Sequence, residues 1–234
     1  MSLKRAMLSS FVAFSIIALI FIAGDRNKTK QKPSEPPRPV CFCFFGDKLL
    51  VGDPYFGRVP NELRSHGWII VSLDLPCHGD DKRPGEPEEL SGWNYRLNHG
   101  EDIFKKLCDK ASKCLDELES TRNIDRSRIC VYGISRGGFM AVEWISRDHR
   151  ISKAATMCQV FRLRDPGLAE FDGKDQSLSD ISDKITCPVS CWVAKNDPRV
   201  GNYNPSFAEI HVMPVNEHHV TNEAFKEAAN WLEK

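Results

Sequence analysis

The sequence carries no excess of charge of either sign. Its 234 residues include 32 Lys and Arg and 32 Asp and Glu. A protein that binds nucleic acid through phosphates needs a surplus of cations, so this balance argues against a nucleic-acid partner. The chain is also too short for two full domains, and its 41% apolar composition is enough for one substantial core. We therefore expect a single domain with short appendages.

The nine cysteines lack the spacing of a metal site or of a redox motif. They contain no C-x-x-C pair and no regular zinc-ligand spacing, and most of them fall inside apolar stretches. Free cysteine is among the most buried residue types, so we interpret them as small core side chains rather than as a disulfide framework or a metal site. No metal or cofactor is expected.

Charge is absent from residues 6–24, which follow Lys4 and Arg5. A run of this length approaches the ~20 residues that span a membrane, although a long secretory signal peptide has the same pattern. A signal-peptide cleavage site needs small residues one and three positions before the cut, but at this spacing Ala23 and Gly24 are preceded by Phe21 and Ile22. We therefore interpret residues 1–24 as a single-pass N-terminal membrane anchor, with secretion after signal cleavage as the alternative. Residues 25–38 are rich in Pro and Lys and predict a linker.

The rest of the chain, residues 39–234, alternates between apolar stretches and amphipathic patterns. Six strands are predicted, at 39–45, 68–75, 128–134, 151–160, 188–194 and 208–213. They are nearly continuous in apolar residues, as in parallel strands covered on both faces. Helices are predicted at about 101–120, directly after Ser135, and at about 222–232. This alternation predicts an α/β domain with a doubly wound, mostly parallel sheet of about six strands and helices on both faces.

Gly133, Ser135 and Gly137 form a G-x-S-x-G motif. By composition alone such a triplet occurs in about one chain in ten of this length. Here, however, an apolar strand runs into the motif and a helical pattern runs out of it. This is the context of a nucleophile elbow, in which flanking glycines allow a sharp turn that exposes the serine hydroxyl. Ser135 is therefore the candidate nucleophile.

A serine nucleophile needs a base, and the base needs an acid that orients it. After an elbow of this kind the acid comes first along the chain and the base second. Asp197 comes just after the predicted strand 188–194, so its carboxylate is expected near the elbow. His218 and His219 both follow the last predicted strand, and either one satisfies the requirement for a base.

The pattern of the last helix favours His218. Thr221 is the expected N-cap, since its hydroxyl can accept an N–H of the first helical turn. Val220 and Phe225 then have the spacing of a hydrophobic staple, which turns Val220 inward. His219 is crowded beside this staple, whereas His218 is free to face the elbow.

The same features occur together in a known family. The resemblance is carried by residues 74–79 (DLPCHG), 124–129 (IDRSRI), 133–138 (GISRGG), 197–200 (DPRV) and His218. In this order they resemble α/β-hydrolases of the prolyl oligopeptidase and dienelactone hydrolase kind, over roughly residues 39–232. The resemblance implies a serine hydrolase that uses Ser135, Asp197 and His218 and needs no cofactor. Because the sequence has no propeller of the kind that selects peptides in oligopeptidases, a small carboxylic ester is favoured as the substrate.

The resemblance also implies an oxyanion hole made of two backbone N–H groups. One belongs to Arg136, the residue after the nucleophile. The other comes from the loop after the first strand, where residues 45–47 replace the His-Gly of many relatives, and Asp47 is our candidate. Only a short connection joins the fourth and fifth strands, so we expect a small lid or none, with Trp93 and the loop 82–100 along one wall.

Alternative functions stay open beside an esterase. A thioesterase or a peptidase would use the same three side chains, so the triad alone does not distinguish these enzymes. A non-catalytic, membrane-anchored binding protein is the alternative from another class, because a fold does not by itself imply an activity. The presence of all three triad residue types favours an enzyme.

Overall fold

A computed structural model describes residues 19–21, 36–164, 168, 171, 175–200 and 204–234. The strands of its central sheet are β1 (Leu19–Phe21), β2 (Arg38–Phe44), β3 (Ile69–Ser72), β4 (Ile124–Ile134), β5 (Lys153–Met157), β6 (Val189–Ala194) and β7 (Glu209–Met213). Their spatial order is β1-β3-β2-β4-β5-β6-β7. β2 to β7 are parallel to one another, and β1 pairs antiparallel with β3. The predicted class, with a mostly parallel sheet of about six strands, is confirmed.

Helices cover both faces of this sheet, as predicted. In the described residues they are α1 (Arg58–Ser65), α2 (Glu89–Asn98), α3 (Ile103–Thr121), α4 (Arg136–Ile145) and α5 (Asn222–Glu233). α1 and α5 pack together on one face, and α3 packs with α4 on the other. Short 3-10 helices occur at Lys48–Gly52, Gly79–Asp81 and Leu178–Lys184. The sequence pattern did not predict α1 and α2, because Pro60 and Gly92 interrupt the apolar periodicity of these two segments.

The side chains of β2 show why its sequence lacks polar alternation. Val40, Phe42 and Phe44 belong to the core under α3 and α4. Cys41 and Cys43 belong to the core under α1 and α5. Successive side chains of a strand point to opposite faces, and all five are completely buried. A strand with a core on each side is apolar at every position.

The cysteines are small core side chains, as predicted. Eight of the nine are buried, and Cys187 is half-buried. All nine lie in the described residues and carry free thiols.

Two strands are shorter than predicted at the edge of the sheet where the candidate residues lie. The predicted strand 68–75 is longer than β3, because the chain turns and the N–H of Leu75 donates to the carbonyl of Gly46 at 2.9 Å. The predicted strand 151–160 is longer than β5, because Cys158 has φ 42°, which a β-strand does not accommodate. Both differences mark the beginning of loops that carry the site.

Most of the predicted membrane segment lies outside the described residues, and Leu19–Phe21 is the part that forms β1. Within the part of the chain that the structure describes, no helix is long and apolar enough to cross a membrane. The linker prediction also lies outside the described residues as far as residue 35. Arg38 already begins β2, one residue before the predicted start of the domain, and its Nε donates to the carbonyl of Gly67 at 2.8 Å.

Candidate active site

Ser135 occupies the turn between β4 and α4. Its φ of 55° and ψ of −121° are unfavourable for a residue with a side chain, so the surrounding structure must hold them. The N–H of Ser135 donates to the carbonyl of Met157 at 2.8 Å. The carbonyl of Ser135 accepts from the N–H groups of Gly138 at 2.9 Å and Val160 at 3.2 Å. These bonds fix the backbone on both sides of the hydroxyl.

The flanking glycines are required by close backbone approaches. A Cβ at Gly133 would lie 2.4 Å from the carbonyl oxygen of Gly137. A Cβ at Gly137 would lie 1.9 Å from the carbonyl oxygen of Phe44, on the neighbouring strand β2. Real Cβ atoms do not approach backbone atoms this closely, so α4 can begin here only with glycine at both positions. The structure therefore has the strand, turn and helix of a nucleophile elbow.

The structure brings Ser135, Asp197 and His218 together. Nε2 of His218 lies 2.9 Å from Oγ of Ser135, and Nδ1 of His218 lies 2.8 Å from Oδ2 of Asp197. Asp197 follows β6 and His218 follows β7, so both come from loops at the same edge of the sheet as the elbow. The Asp197 side chain is 1% exposed and the His218 side chain 18%. The imidazole therefore remains accessible, while the carboxylate is enclosed.

The pKa of Asp197 reflects two opposing effects. Burial raises the pKa of the carboxyl, but hydrogen bonds from His218 and from the backbone N–H of Arg199 lower it by more. The bond from Arg199 is 2.9 Å long and reaches Oδ1, so each carboxylate oxygen has a donor. The net pKa lies below the ordinary value, and Asp197 is an anion at neutral pH.

His219 follows His218 directly, and its ring has a different partner. Its ring packs on the ring of Tyr55 with the centroids 5.2 Å apart. As predicted, Thr221 is the N-cap of α5, and its hydroxyl accepts from the N–H of Ala224 at 3.2 Å. Val220 is buried at the expected staple position. The local geometry of the helix start therefore selects His218 for contact with Ser135.

The two candidate oxyanion donors come from different segments, since Arg136 begins α4 and Asp47 follows β2. Arg136 is the first residue of α4, so no carbonyl of that helix can accept its N–H. The carboxylate of Asp47 caps the 3-10 helix Lys48–Gly52 and accepts from the N–H of Leu49 at 2.7 Å. Asp47 and Arg136 line the same cavity as Ser135. The role of each amide in binding an oxyanion stays a prediction.

A cavity of about 340 Å³ adjoins Ser135 and His218. Its apolar and aromatic lining side chains are Phe45, Leu50, Tyr55, Phe56, Ile134, Cys158 and Val220. Besides Ser135 and His218, its polar and charged lining side chains are Asp47, His78, Lys82, Glu89, Arg136 and Arg199. The site therefore offers both apolar contacts and polar or charged groups to a small molecule.

Trp93 does not form the cavity wall that the sequence suggested. Its side chain is completely buried, and its Nε1 donates to the carbonyl of Pro76 at 2.6 Å. The indole is therefore part of the core that supports this loop, and a buried carbonyl satisfies its N–H. Within the loop 82–100, the wall is formed by Lys82 and Glu89 instead.

The fold has many relatives among solved structures. No protein-family model matches the sequence, and no curated protein matches it either. An esterase from an Arctic intertidal metagenomic library is 17% identical, with a TM-score of 0.63 over 86% of this chain and 83% of that chain. Acetyl xylan esterase 1 from a Thermoanaerobacterium species is 15% identical, with a TM-score of 0.63 over 86% and 77%. An acetyl xylan esterase from a Paenibacillus species is 18% identical, with a TM-score of 0.60 over 86% and 76%.

The chain has the α/β-hydrolase fold. The side chain of Arg136 contacts two other residues of the cavity lining, since its Nη1 lies 3.0 Å from Nε2 of His78 and 3.0 Å from Oε2 of Glu89. Nδ1 of His78 lies 2.7 Å from the carbonyl of Pro76, so the neutral ring donates there and accepts from Arg136. Burial lowers the pKa of His78, and the nearby Arg136 cation lowers it further. The sequence analysis used residues 74–79, which include His78, only as part of the family resemblance, and no sequence signal predicted that His78 lines the cavity.

Proposed function

We propose that the chain is a serine hydrolase that cleaves a small carboxylic ester through an acyl-enzyme. The observation that carries this proposal is the unbroken hydrogen-bonded series from Ser135 through His218 to Asp197, with distances of 2.9 and 2.8 Å. Nucleophile, base and acid are each within hydrogen-bond reach of the next, which is the geometric requirement for this chemistry. The esterases of similar fold support the choice of an ester.

In the proposed reaction the N–H at Nδ1 of His218 donates a hydrogen bond to Asp197 and keeps its proton, so Nε2 is unprotonated and can accept the proton of Ser135. Oγ of Ser135 attacks the ester carbonyl, and the negative charge that develops on the carbonyl oxygen is bound by backbone N–H groups. These groups are the N–H of Arg136 and one from residues 45–47, with Asp47 as our candidate. Nε2 of His218 then gives its proton to the departing alcohol. Water repeats the sequence on the acyl-enzyme and releases the acid.

The size of the cavity favours a small substrate. Pockets for small molecules typically measure about 300–1,000 Å³, and the cavity beside Ser135 measures about 340 Å³. A short acyl group with a compact alcohol fits such a volume, whereas a long acyl chain exceeds it. A thioesterase or a peptidase with the same triad is the closest alternative, because the same three groups would perform either reaction.

A fluorophosphonate probe tests the catalytic assignment. We expect covalent labelling at Ser135 in the full chain and none in Ser135→Ala. A set of p-nitrophenyl esters of graded acyl length then tests the substrate class, with the highest kcat/KM expected for the shortest acyl groups. Absence of labelling in the wild type would favour a non-catalytic binding protein on this fold. Labelling together with turnover of thioesters or peptides but not of esters would transfer the proposal to those substrates.

We also propose that the N-terminus anchors the enzyme in a membrane as a single-pass segment. The support is the uncharged run 6–24 and the basic linker that follows it. Because Leu19–Phe21 pair with β3 in the structure, the proposal requires that these three residues leave the sheet when the segment enters the membrane. Secretion after cleavage of the same segment is the alternative. A mature chain of full length that resists carbonate extraction from membranes would support the anchor. A shortened chain that carbonate releases would support secretion after cleavage.

A further inference from the structure

A thiol adjoins the acid and the base of the candidate site. One ligand atom each from Cys158, Asp197 and His218 lies within 4.8 Å of the other two. Cys158 follows β5 directly and lines the cavity beside Ser135. A thiolate, a carboxylate and an imidazole are the three side-chain ligands of Zn²⁺, and a thiolate favours Zn²⁺ and Cd²⁺ over Mg²⁺ and Ca²⁺. We infer that these three side chains form an inhibitory binding site for a thiophilic divalent cation.

The three ligands are already held in place. The N–H of Cys158 donates to the carbonyl of Trp192 at 2.8 Å, and Sγ of Cys158 donates to the carbonyl of His219 at 3.5 Å. Oδ1 of Asp197 accepts from Arg199, which leaves Oδ2 facing His218. Tetrahedral Zn²⁺ with ordinary bond lengths holds its ligand atoms roughly 3.3–3.8 Å apart. The widest pair in the site therefore has to close by only about 1 Å.

A cation at this site removes the base that the proposed function requires. Nδ1 is the ring nitrogen of His218 that faces Asp197, so a cation held by both residues takes the place of the Nδ1 proton. That proton moves to Nε2, and the thiol of Cys158 releases its own proton to solvent. Nε2 then donates to Ser135 and can no longer accept the hydroxyl proton. The cation thus blocks catalysis without contact with the nucleophile.

Direct binding is measured with Cd²⁺ on the full chain in detergent, through the ultraviolet charge-transfer band of a cadmium–thiolate bond. The variants are Cys158→Ser, which removes the sulfur, and Cys187→Ser, which removes a half-buried cysteine outside the cavity. Ser135→Ala is added because it removes the nucleophile and no ligand. Zn²⁺ inhibition of ester hydrolysis is measured in the two cysteine variants and the wild type, each relative to the same protein without metal, with Mg²⁺ as the hard-cation comparison.

We expect the band in the wild type, in Cys187→Ser and in Ser135→Ala, and its loss in Cys158→Ser. Loss of an outer partner of a metal ligand costs about 10–100-fold in affinity, so loss of the thiolate should raise the Zn²⁺ concentration for half-inhibition at least about tenfold. Mg²⁺ should not inhibit. A band that persists in Cys158→Ser, or its absence from the wild type, would overturn the site. A band that behaves as expected in a chain without hydrolase activity would keep the site and refute the proposed function.

Discussion

The phenol oxygen of Tyr55 accepts a hydrogen bond from the backbone N–H of Val220 at 2.8 Å. Val220 lies two residues after His218, and the Tyr55 ring also packs edge-on against the ring of Phe225 with the centroids 5.2 Å apart. The segment that follows residues 45–47 is thereby joined to the loop that carries the candidate base. The Tyr55 side chain therefore helps to set the distance between residues 45–47, which include a candidate oxyanion donor, and the loop that carries His218.

Tyr55→Phe is expected to lower kcat about tenfold with little change in KM, because a displaced base reacts poorly while the cavity keeps its shape. The substitution leaves the buried N–H of Val220 without its acceptor, which costs about 1–3 kcal/mol of folding free energy. Kinetics on one short ester and urea unfolding measure the two effects. Tyr95→Phe, on the exposed side of α2, is the matched control. Equal kcat values for the two variants would refute the positioning role of Tyr55.

Ser135→Ala is expected to lower kcat by about 10⁴-fold or more, since triad losses typically have this size. Circular dichroism should show an unchanged fold, because the hydroxyl fills no core volume. Activity within tenfold of the wild type would remove Ser135 from the mechanism.

Ser135→Gly tests the backbone strain at the elbow separately from the chemistry of the hydroxyl. At φ 55° a side chain is strained and glycine is not, so this inactive variant should unfold at a higher temperature than Ser135→Ala. The comparison is made by differential scanning calorimetry on the two variants. Identical unfolding temperatures would show that the surrounding hydrogen bonds remove the strain.

The sequence predicted the features that depend on local pattern. The apolar stretches located β2 to β7, and the elbow glycines identified Ser135 because a strand precedes them and a helix follows. Asp197 and His218 followed from the rule that loops after parallel strands meet at one edge of the sheet. The cap at Thr221 distinguished His218 from His219 because side-chain direction at a helix start is a local property.

Features that depend on contacts between distant segments were not predictable. β1 is defined only by its pairing with β3, and in the sequence residues 19–21 do not differ from the rest of the uncharged run 6–24. Trp93 was assigned to the wall because its loop passes the site, but its indole N–H has its acceptor at Pro76 in the core. The position of His78 opposite Arg136 depends on how two loops meet, and no residue pattern encodes that.

The loop 82–100, which contributes Lys82 and Glu89 to the cavity lining, is held by an ion pair between Arg83 and Glu101 whose contribution to stability depends on pH. Glu101 accepts from Nη1 and Nη2 of Arg83 at 2.9 Å each. These bonds, together with the nearby Lys106, outweigh burial and lower the pKa of Glu101 to about 2. A depressed carboxyl pKa stabilises the folded state above the unfolded pKa of about 4.3, and this contribution is lost as the pH falls from there towards 2.

Glu101→Gln should therefore destabilise the protein at pH 7, with a difference from the wild type that shrinks as the pH falls below about 4.3. Urea unfolding at a series of pH values measures this difference. Glu117→Gln, on the exposed side of α3, is the control for removal of a carboxylate. A difference that stays constant with pH would mean that the Arg83 contact does not stabilise the ionised form selectively.

The full chain is expected in the membrane fraction because of the uncharged run 6–24. Deletion of residues 1–35 should give a chain in the supernatant that keeps esterase activity, since β2 begins at Arg38 and no catalytic candidate is removed. A full-length chain that pellets only as an aggregate and does not float with lipid in a density gradient would contradict the anchor.

His218 and His219 provide the sharpest test of the base, because two adjacent histidines differ only in the direction of their rings. His218 contacts both Ser135 and Asp197, whereas the His219 ring packs on Tyr55. His218→Ala should therefore lower kcat about 10³-fold or more, because Ser135 loses its proton acceptor.

His219→Ala should change kcat by less than about tenfold, since it removes a packing contact and no proton acceptor. Circular dichroism of both variants confirms folding, and kcat on one short ester is the measurement. A base at His218 also implies that fluorophosphonate labelling of Ser135 slows in His218→Ala and not in His219→Ala, because the probe needs the same activated hydroxyl. The reverse ranking in both assays would require the His219 ring to turn from Tyr55 towards Ser135, and the base would then be His219.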